Sequence, residues 1–250
     1  MRNATHPNTL LTSTLLATAL VSSPLLAGTL EFYVQGEDLA TEGFQAPKLT
    51  KDGWALTFEQ LWVGLDQVSA YQTNPPYDPQ QGAPMAVIAE VSLPEVQVVD
   101  LVGQAASDHR VLIAEVEATP GHYNAMTWTL APVDLPPLNG ASMLLIGTAS
   151  RDGQTLPFQL QTTDRITHHC GEFVGDERKG IVVAGEIADV EMTFHLDHLF
   201  GRADRPADGS MNQQALGFDA FANDQLEHRF SVQALHLGHV GEGHCRVQYD

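Results

Sequence analysis

Histidine and cysteine are the residues of this chain with the clearest capacity for chemistry, and they are concentrated in its C-terminal part. Eight of the eleven histidines lie between His168 and His244. Both cysteines, Cys170 and Cys245, directly follow a histidine. Because neutral imidazole is a common ligand of zinc and copper, this distribution predicts transition-metal binding.

Two His-x-x-His pairs supply a spacing that can serve one ion. The first is His195 with His198, and the second is His236 with His239. Such a pair converges on a helix or at a strand end where the backbone turns, whereas on a continuous strand its two rings point to opposite faces. Three glycines between residues 238 and 243 allow the backbone around the second pair to fold sharply.

We predict at least one metal site, to which separate segments contribute. Its main ligands are imidazoles, and one carboxylate on the strand that carries the first pair either orients a ring or binds the ion itself. Zinc fits this donor set best and copper follows. The predicted ligands are His195, His198, His236, His239, His244, one of His168 and His169, and Asp197.

Residues 1–27 have the features of an export signal. Arg2 supplies positive charge, an apolar core runs from Leu10 to Leu20, and the segment ends in Ala27, a small residue. We therefore expect a periplasmic or secreted protein whose mature chain, 28–250, is a single domain with its metal-site region at about 164–250. No later segment approaches the ~20 apolar residues that a membrane span needs.

An oxidising compartment favours a disulfide between Cys170 and Cys245. A disulfide holds its two Cα atoms about 5.5 Å apart, which would bring His168 or His169 and His244 within reach of one ion. The alternative is that both cysteines stay reduced and bind metal as thiolates.

Acidic residues outnumber basic ones, 31 to 12, which gives a formal net charge of −19. Such a surface repels nucleic acid and anionic lipid, so we expect no nucleic-acid partner. The expected partner is the metal ion, together with a membrane metal transporter or receptor if the protein delivers it.

Alternation of apolar and polar residues dominates the pattern and predicts an all-β protein, an antiparallel β-sandwich with long loops. Leu30, Phe32 and Val34, for example, alternate with more polar neighbours. One short helix is predicted at 213–227, and loops rich in proline are predicted at 73–84 and 132–139. Strands are predicted at 30–35, 61–66, 85–91, 96–102, 111–117, 126–130, 142–148, 156–162, 181–186, 190–195 and 230–237.

Two segments carry a resemblance to a known family. The stretch from Leu56 to Val68, together with the stretch from Pro120 to Leu130 that begins Pro-Gly-His-Tyr, is similar to two patterns found together in exported bacterial β-sandwich families. Among these is the methanobactin-associated copper-binding family called MbnP-like. The resemblance covers about residues 50–130 and implies a periplasmic β-sandwich with metal handling. None of the copper ligands of that family is carried over to this sequence.

The leading hypothesis is metal capture, buffering or delivery, without catalysis. The rival is a binding module that presents the loop at 73–84 and Trp54, Trp62, Tyr71 and Tyr77 to a glycan or a protein. A third reading, a zinc-dependent hydrolase, would use Glu172 or Glu242 as its base. An oxygen-ligand calcium site, which matches no EF-hand spacing, would use Asp197, Asp204, Asp208 and Asn212.

Overall fold

Strands make up most of the regular structure in the computed structural model, which describes Met1 and residues 26–171, 179–233, 235–240 and 244–249. The predicted export signal therefore lies almost entirely outside the described residues. The strands are β1 (Gly28–Gln35), β2 (Ala55–Thr73), β3 (Val87–Ser92), β4 (Gln97–Asp100), β5 (Arg110–Ala118), β6 (Gly121–His122), β7 (Ala125–Leu130), β8 (Met143–Arg151), β9 (Gln154–Thr162), β10 (Ile166–Gly171), β11 (Ile181–Val182), β12 (Ile187–Phe194), β13 (Glu227–Arg229), β14 (Gly238–Val240) and β15 (His244–Tyr249). The helices are α1 (Glu37–Thr41), α2 (Leu196–Phe200) and α3 (Ser210–Gln214), with single 3-10 turns at Pro79–Gln81 and Asp219–Phe221.

Two large sheets enclose the core. The smaller sheet has the strand order β14-β12-β1-β5. The larger follows the order β13-β9-β8-β2-β7-β10-β15, and β3 and β4 also pair with β2. Trp128 of the larger sheet contacts Phe194 of the smaller one, with ring centroids 5.2 Å apart, inside one continuous apolar core. The prediction of a mostly β, sandwich-like protein is confirmed.

The prediction that the sheets are purely antiparallel is wrong. β1 pairs in parallel with β12, and β9 pairs in parallel with β13. Parallel neighbours need a long connection rather than a hairpin. The chain supplies one, because most of the larger sheet is built between β1 and β12. This pairing determines which residues meet at the edge of the smaller sheet.

Alternation located most strands correctly, and in β1 the side chains of Leu30, Phe32 and Val34 are fully buried as expected. The strands that carry the cysteines, β10 and β15, were not predicted. In β10 the inward positions are His168 and Cys170, both fully buried or nearly so. Because the inward position 168 is a histidine, β10 does not show the alternation of apolar and polar residues that predicts a strand.

The predicted helix at 213–227 is wrong. α3 ends within that range, a 3-10 turn follows, and β13 begins at its far end. The C-cap of α3 is Ala215, whose ψ of 145° is extended, and Gly217 follows with φ +74°, a left-handed conformation that does not continue a helix. The carboxylate of Asp52 then accepts hydrogen bonds from the backbone N–H groups of Phe218 and Asp219, at 2.7 and 2.6 Å.

The predicted strand at 230–237 is also wrong. Its start is a loop that Asp164 anchors, because one carboxylate oxygen accepts hydrogen bonds from the hydroxyl of Ser231 and the N–H of Val232, both at 2.7 Å. Strand pairing is found on either side instead, in β13 and β14. The side-chain pattern was nevertheless right, since Leu235 and Leu237 are buried on either side of a partly exposed His236.

Cys170 and Cys245 are direct cross-strand partners in β10 and β15, and they form a disulfide with a Cα to Cα distance of 4.0 Å. The predicted pairing is confirmed, and the alternative of two metal-binding thiolates is wrong.

Among the described residues, no helix combines the length and the apolar character that crossing a membrane requires.

Candidate metal centre

The parallel pair β1 and β12 places the candidate site at one edge of the smaller sheet. Gln35 lies opposite Thr193 in this ladder, so the two strands end side by side. Glu37 opens α1 just beyond β1, and His195 precedes α2 just beyond β12. As a result, Nδ1 of His195 lies 3.1 Å from Oε2 of Glu37.

His195 and His198 share one face of a short helix. His195 is the N-cap of α2, its N–H donates to the carbonyl of Leu237 at 2.8 Å, and its carbonyl accepts from the N–H of His198 at 3.1 Å. Residues three apart on a helix are neighbours, and these two ring centroids are 5.6 Å apart. The pair thus lies where β12 ends and a helix begins. The prediction that Asp197 lies on the strand is wrong, because β12 ends at Phe194 and Asp197 lies on α2.

β14 brings the second pair to the same place. His239 lies opposite Thr193 in the β12–β14 ladder, and its ring centroid is 4.6 Å from that of His195 and 6.1 Å from that of His198. The ring of His236 is 4.9 Å from the ring of His239. These four side chains, His195, His198, His236 and His239, are called the imidazole cluster below.

The spacing within the imidazole cluster can be compared with that of metal ligands. A zinc to nitrogen bond is about 2.0–2.1 Å, so the ring centroids of two ligands in a tetrahedral site lie roughly 5 Å apart. The distances among His195, His198 and His239 are 4.6, 5.6 and 6.1 Å. In the described part of the chain, however, no three His, Cys, Asp or Glu side chains are arranged so that they could hold a metal ion. The rings are near enough, and they would have to turn about their side-chain bonds to share an ion.

The charge states within the cluster differ from ring to ring. Burial acts to lower the pKa of His195, but the hydrogen bond to Glu37 and the nearby carboxylates of Glu37 and Asp197 raise it above its ordinary value. Burial is the main cause that lowers the pKa of His198; Asp197 opposes this shift, and the rings of His195 and His236 reinforce it. His198 is therefore neutral at neutral pH, the form that binds a metal ion.

Two acidic residues at the site have unusual features, one in its backbone conformation and the other in its hydrogen bonding. Glu37 has φ +56°, a left-handed conformation that is uncommon for a residue other than glycine. Oδ1 of Asp197 is buried, and no described residue donates a hydrogen bond to it. Buried carboxylate oxygens normally have a partner, so this atom is available to a cation.

His168 lies beside the cluster, inside the core. Its ring stacks on that of Trp128, with centroids 3.8 Å apart and planes 8° from parallel. Burial, followed by the nearby His236 and His239, lowers the pKa of His168 to about 3. Gly238 allows this packing, since a Cβ there would lie 2.3 Å from the indole of Trp128 and 2.7 Å from Nε2 of His168.

His169 is not brought to the cluster. Because neighbouring residues of a strand face opposite sides, its ring points to the outer face of the larger sheet, where it lines a cavity with Arg246. His244 begins β15 opposite Gly171, but its side chain lies outside the described part of the structure. Glu172 and Glu242, the predicted bases of the hydrolase reading, lie outside it as well.

Some residues of the glycan-binding and calcium hypotheses are engaged in contacts within the protein. Trp54, expected on a glycan-binding surface, is buried, and its indole N–H donates to Asp219 at 2.8 Å. For the calcium reading, Asp204 pairs with Arg202, and the amide of Asn212 donates to backbone carbonyls of the surrounding loop. These two residues therefore serve the loop rather than a shared ion.

Glu37 and Trp128 are the residues at the site that sequence reasoning missed. Glu37 follows Gly36 directly after a predicted strand, but nothing local shows that this strand pairs in parallel with β12. Trp128 lies in the predicted strand 126–130, but its stacking on His168 depends on the pairing of β7 with β10, in which the two residues are direct partners.

Comparison with models of protein families, with curated proteins and with solved structures found no match to this chain. The resemblance of residues 50–130 to the MbnP-like family stays a prediction.

Proposed function

We propose that this protein binds a transition-metal ion, zinc or copper, at the imidazole cluster. The observation that carries the proposal is the convergence of His195, His198 and His239 from two separate segments to ring distances close to those of a metal site. His236 stands next to His239 and supplies a further donor. Imidazoles are the common ligands of both metals.

Glu37 supports the proposal through the tautomer of His195. A histidine that binds a metal commonly donates its other ring N–H to a carboxylate, which fixes the ring orientation. The bond from Nδ1 of His195 to Glu37 leaves Nε2 for an ion. Asp197, with its buried oxygen, is the carboxylate that we propose as an additional ligand or neutralising charge.

We assign no catalytic residue. The function proposed here is metal capture, buffering or delivery to a membrane transporter, in the periplasm or outside the cell. The disulfide between Cys170 and Cys245 supports this location, because such bonds persist in oxidising compartments. The acidic composition favours cations in general and leaves selection of the metal to the imidazole cluster.

Metal analysis of the isolated protein tests the proposal. We expect about one zinc or copper ion per chain, and calorimetric titration of the stripped protein should give the same stoichiometry. Replacing both His195 and His239 by alanine should weaken binding by more than about tenfold. His228→Ala is the matched control, because this ring contacts the carbonyl of Gln225 rather than the cluster. Equal affinity in the double variant, with the fold intact, would exclude the site.

A further inference from the structure

A second concave site lies on the outer face of the larger sheet, away from the imidazole cluster. Its volume is about 460 Å³, and its lining includes Tyr71, Tyr77, Met85, His169 and Arg246. The floor is a row of direct cross-strand partners, since Thr127 lies opposite His169 and His169 lies opposite Arg246. The cavity therefore spans β7, β10 and β15.

The loop that walls the cavity is held firmly to the sheet. The buried side chain of Asn124 accepts hydrogen bonds from the N–H and hydroxyl of Thr73, at 2.9 and 2.8 Å, and donates to its carbonyl at 3.1 Å. The hydroxyl of Thr73 in turn accepts from the N–H of Tyr77 at 3.1 Å. Backbone of this loop also lies directly on β10, because a Cβ at Gly171 would be 2.1 Å from the carbonyl oxygen of Tyr77. These contacts within the protein hold the wall against β10.

Arg246 gives the cavity its charge. Its guanidinium rests on Gly82, where a Cβ would lie 2.9 Å from Nη1. Among the ion pairs of the described residues, none joins a carboxylate to Arg246. The one acidic residue of the adjoining loop, Asp78, accepts hydrogen bonds from the N–H of Gln80 and the side chain of Gln81 instead. Arg246 is exposed in this cavity and has no carboxylate partner among the described residues, so its guanidinium can pair with an external anion.

The remaining wall residues indicate what the uncharged part of a ligand would be. Met85 and Val87 present apolar surface, and about half of the side chain of Val87 is exposed at the rim. The two tyrosine rings add flat apolar faces, and the hydroxyl of Tyr71 is already hydrogen-bonded to Thr127 at 3.1 Å. Such walls favour an apolar or aromatic body over a strongly hydrated one.

We propose that this cavity binds a small organic carboxylate with an apolar or aromatic body. Arg246 holds the carboxylate at the floor, with His169 beside it, and Tyr71, Tyr77 and Met85 contact the body. The site is independent of the metal proposal, because His168 and His169 face opposite sides of β10.

Calorimetric titration with chosen probes tests this inference on the full disulfide-bonded protein, stripped of metal on a chelating resin. We expect saturable binding of phenylacetate, and binding of the neutral isostere phenylacetamide weaker by about tenfold or more, since a charged hydrogen bond is lost. Arg246→Gln should lower phenylacetate affinity by a similar factor. Arg229→Gln is the matched control, an exposed arginine on β13 at the far edge of the same sheet.

Three results would overturn the inference. They are the absence of saturable phenylacetate binding, equal binding by the Arg246→Gln variant, and tighter binding of glucuronate, whose body is a hydrated sugar. A His195→Ala variant separates the two sites, because it should bind phenylacetate normally. Loss of phenylacetate binding in that variant would place the probe at the imidazole cluster and contradict the assignment to the cavity.

Discussion

Glu37 and His195 are 158 positions apart in the sequence, yet Oε2 of Glu37 lies 3.1 Å from Nδ1 of His195. The contact arises because β1 and β12 run parallel and end at the same edge, where each is followed by a short helix. A carboxylate that holds one ring nitrogen leaves the other for a metal ion. Glu37 is therefore a positioning residue in the proposed metal site.

Replacement of Glu37 tests this role. We expect Glu37→Ala to weaken zinc or copper binding by about tenfold or more, and Glu37→Gln to retain part of the affinity because an amide oxygen can still accept from the ring. Loss of the carboxylate should also lower the pKa of His195, which NMR titration of the metal-free protein measures.

Two controls separate positioning from folding. Glu37→Gly relieves the positive φ and should be more stable than Glu37→Ala by about 1 kcal/mol, while it binds metal equally poorly. Glu42→Gln changes an exposed carboxylate in the same segment and should have no effect. Unchanged metal affinity in the Glu37→Ala protein would contradict the positioning role.

His168 makes stability depend on pH. Its pKa is about 3 in the folded protein and about 6.5 in an unfolded chain, so the unfolded state binds a proton first as pH falls. The contribution of His168 to the free energy of unfolding is fully present above pH ~6.5. It falls by about 1.4 kcal/mol per pH unit as the pH is lowered toward ~3.

Phenylalanine at position 168 keeps a ring against Trp128 and cannot titrate. We expect His168→Phe to lose less stability than the wild type between pH 7.5 and pH 5, as measured by urea unfolding of the metal-free protein. His228→Phe, a change at a histidine outside the core, should follow the wild type. Parallel pH profiles for the His168→Phe and wild-type proteins would show that the buried ring does not resist protonation.

Gly238 allows β14 to lie against the rings of Trp128 and His168. We expect Gly238→Ala to displace β14, because the new Cβ would lie 2.3 Å from a rigid indole. Since His239 is the next residue, metal affinity should fall together with thermal stability. Gly209→Ala, at the N-cap of α3, is the control and should leave metal affinity unchanged, although its new Cβ would lie 3.1 Å from the carbonyl oxygen of Pro206. Normal metal binding by Gly238→Ala would mean that β14 does not determine the geometry of the cluster.

The disulfide joins β10 to β15 across a sequence separation of 75 residues. In the chain-entropy view, removing a link of this length costs roughly 4–5 kcal/mol of unfolding free energy. We expect a Cys170→Ser, Cys245→Ser protein to unfold at a correspondingly lower urea concentration, and the wild type to approach it when reduced. A reduced wild type with unchanged stability would show that strand pairing alone holds this edge of the sheet.

Local patterns in the sequence predicted much of the fold. Alternation located β1, β2 and β7, because one face of each strand packs into the core. It failed for β10, where His168 takes a core position, and for 213–227, where Gly217 and Asp52 form a turn that only the folded chain assembles.

For the site, the sequence by itself determined which residues carry the chemistry: a histidine-rich segment, two His-x-x-His pairs and two cysteines that an oxidising compartment would join. Tertiary structure decided which of them meet. The pairing of β1, β12 and β14 places Glu37, His195 and His239 together. The orientation of β10 in the larger sheet points His168 into the core and His169 to the outer face. Strand partners far apart in sequence are chosen by burial of the whole core, and no short stretch of residues contains that information.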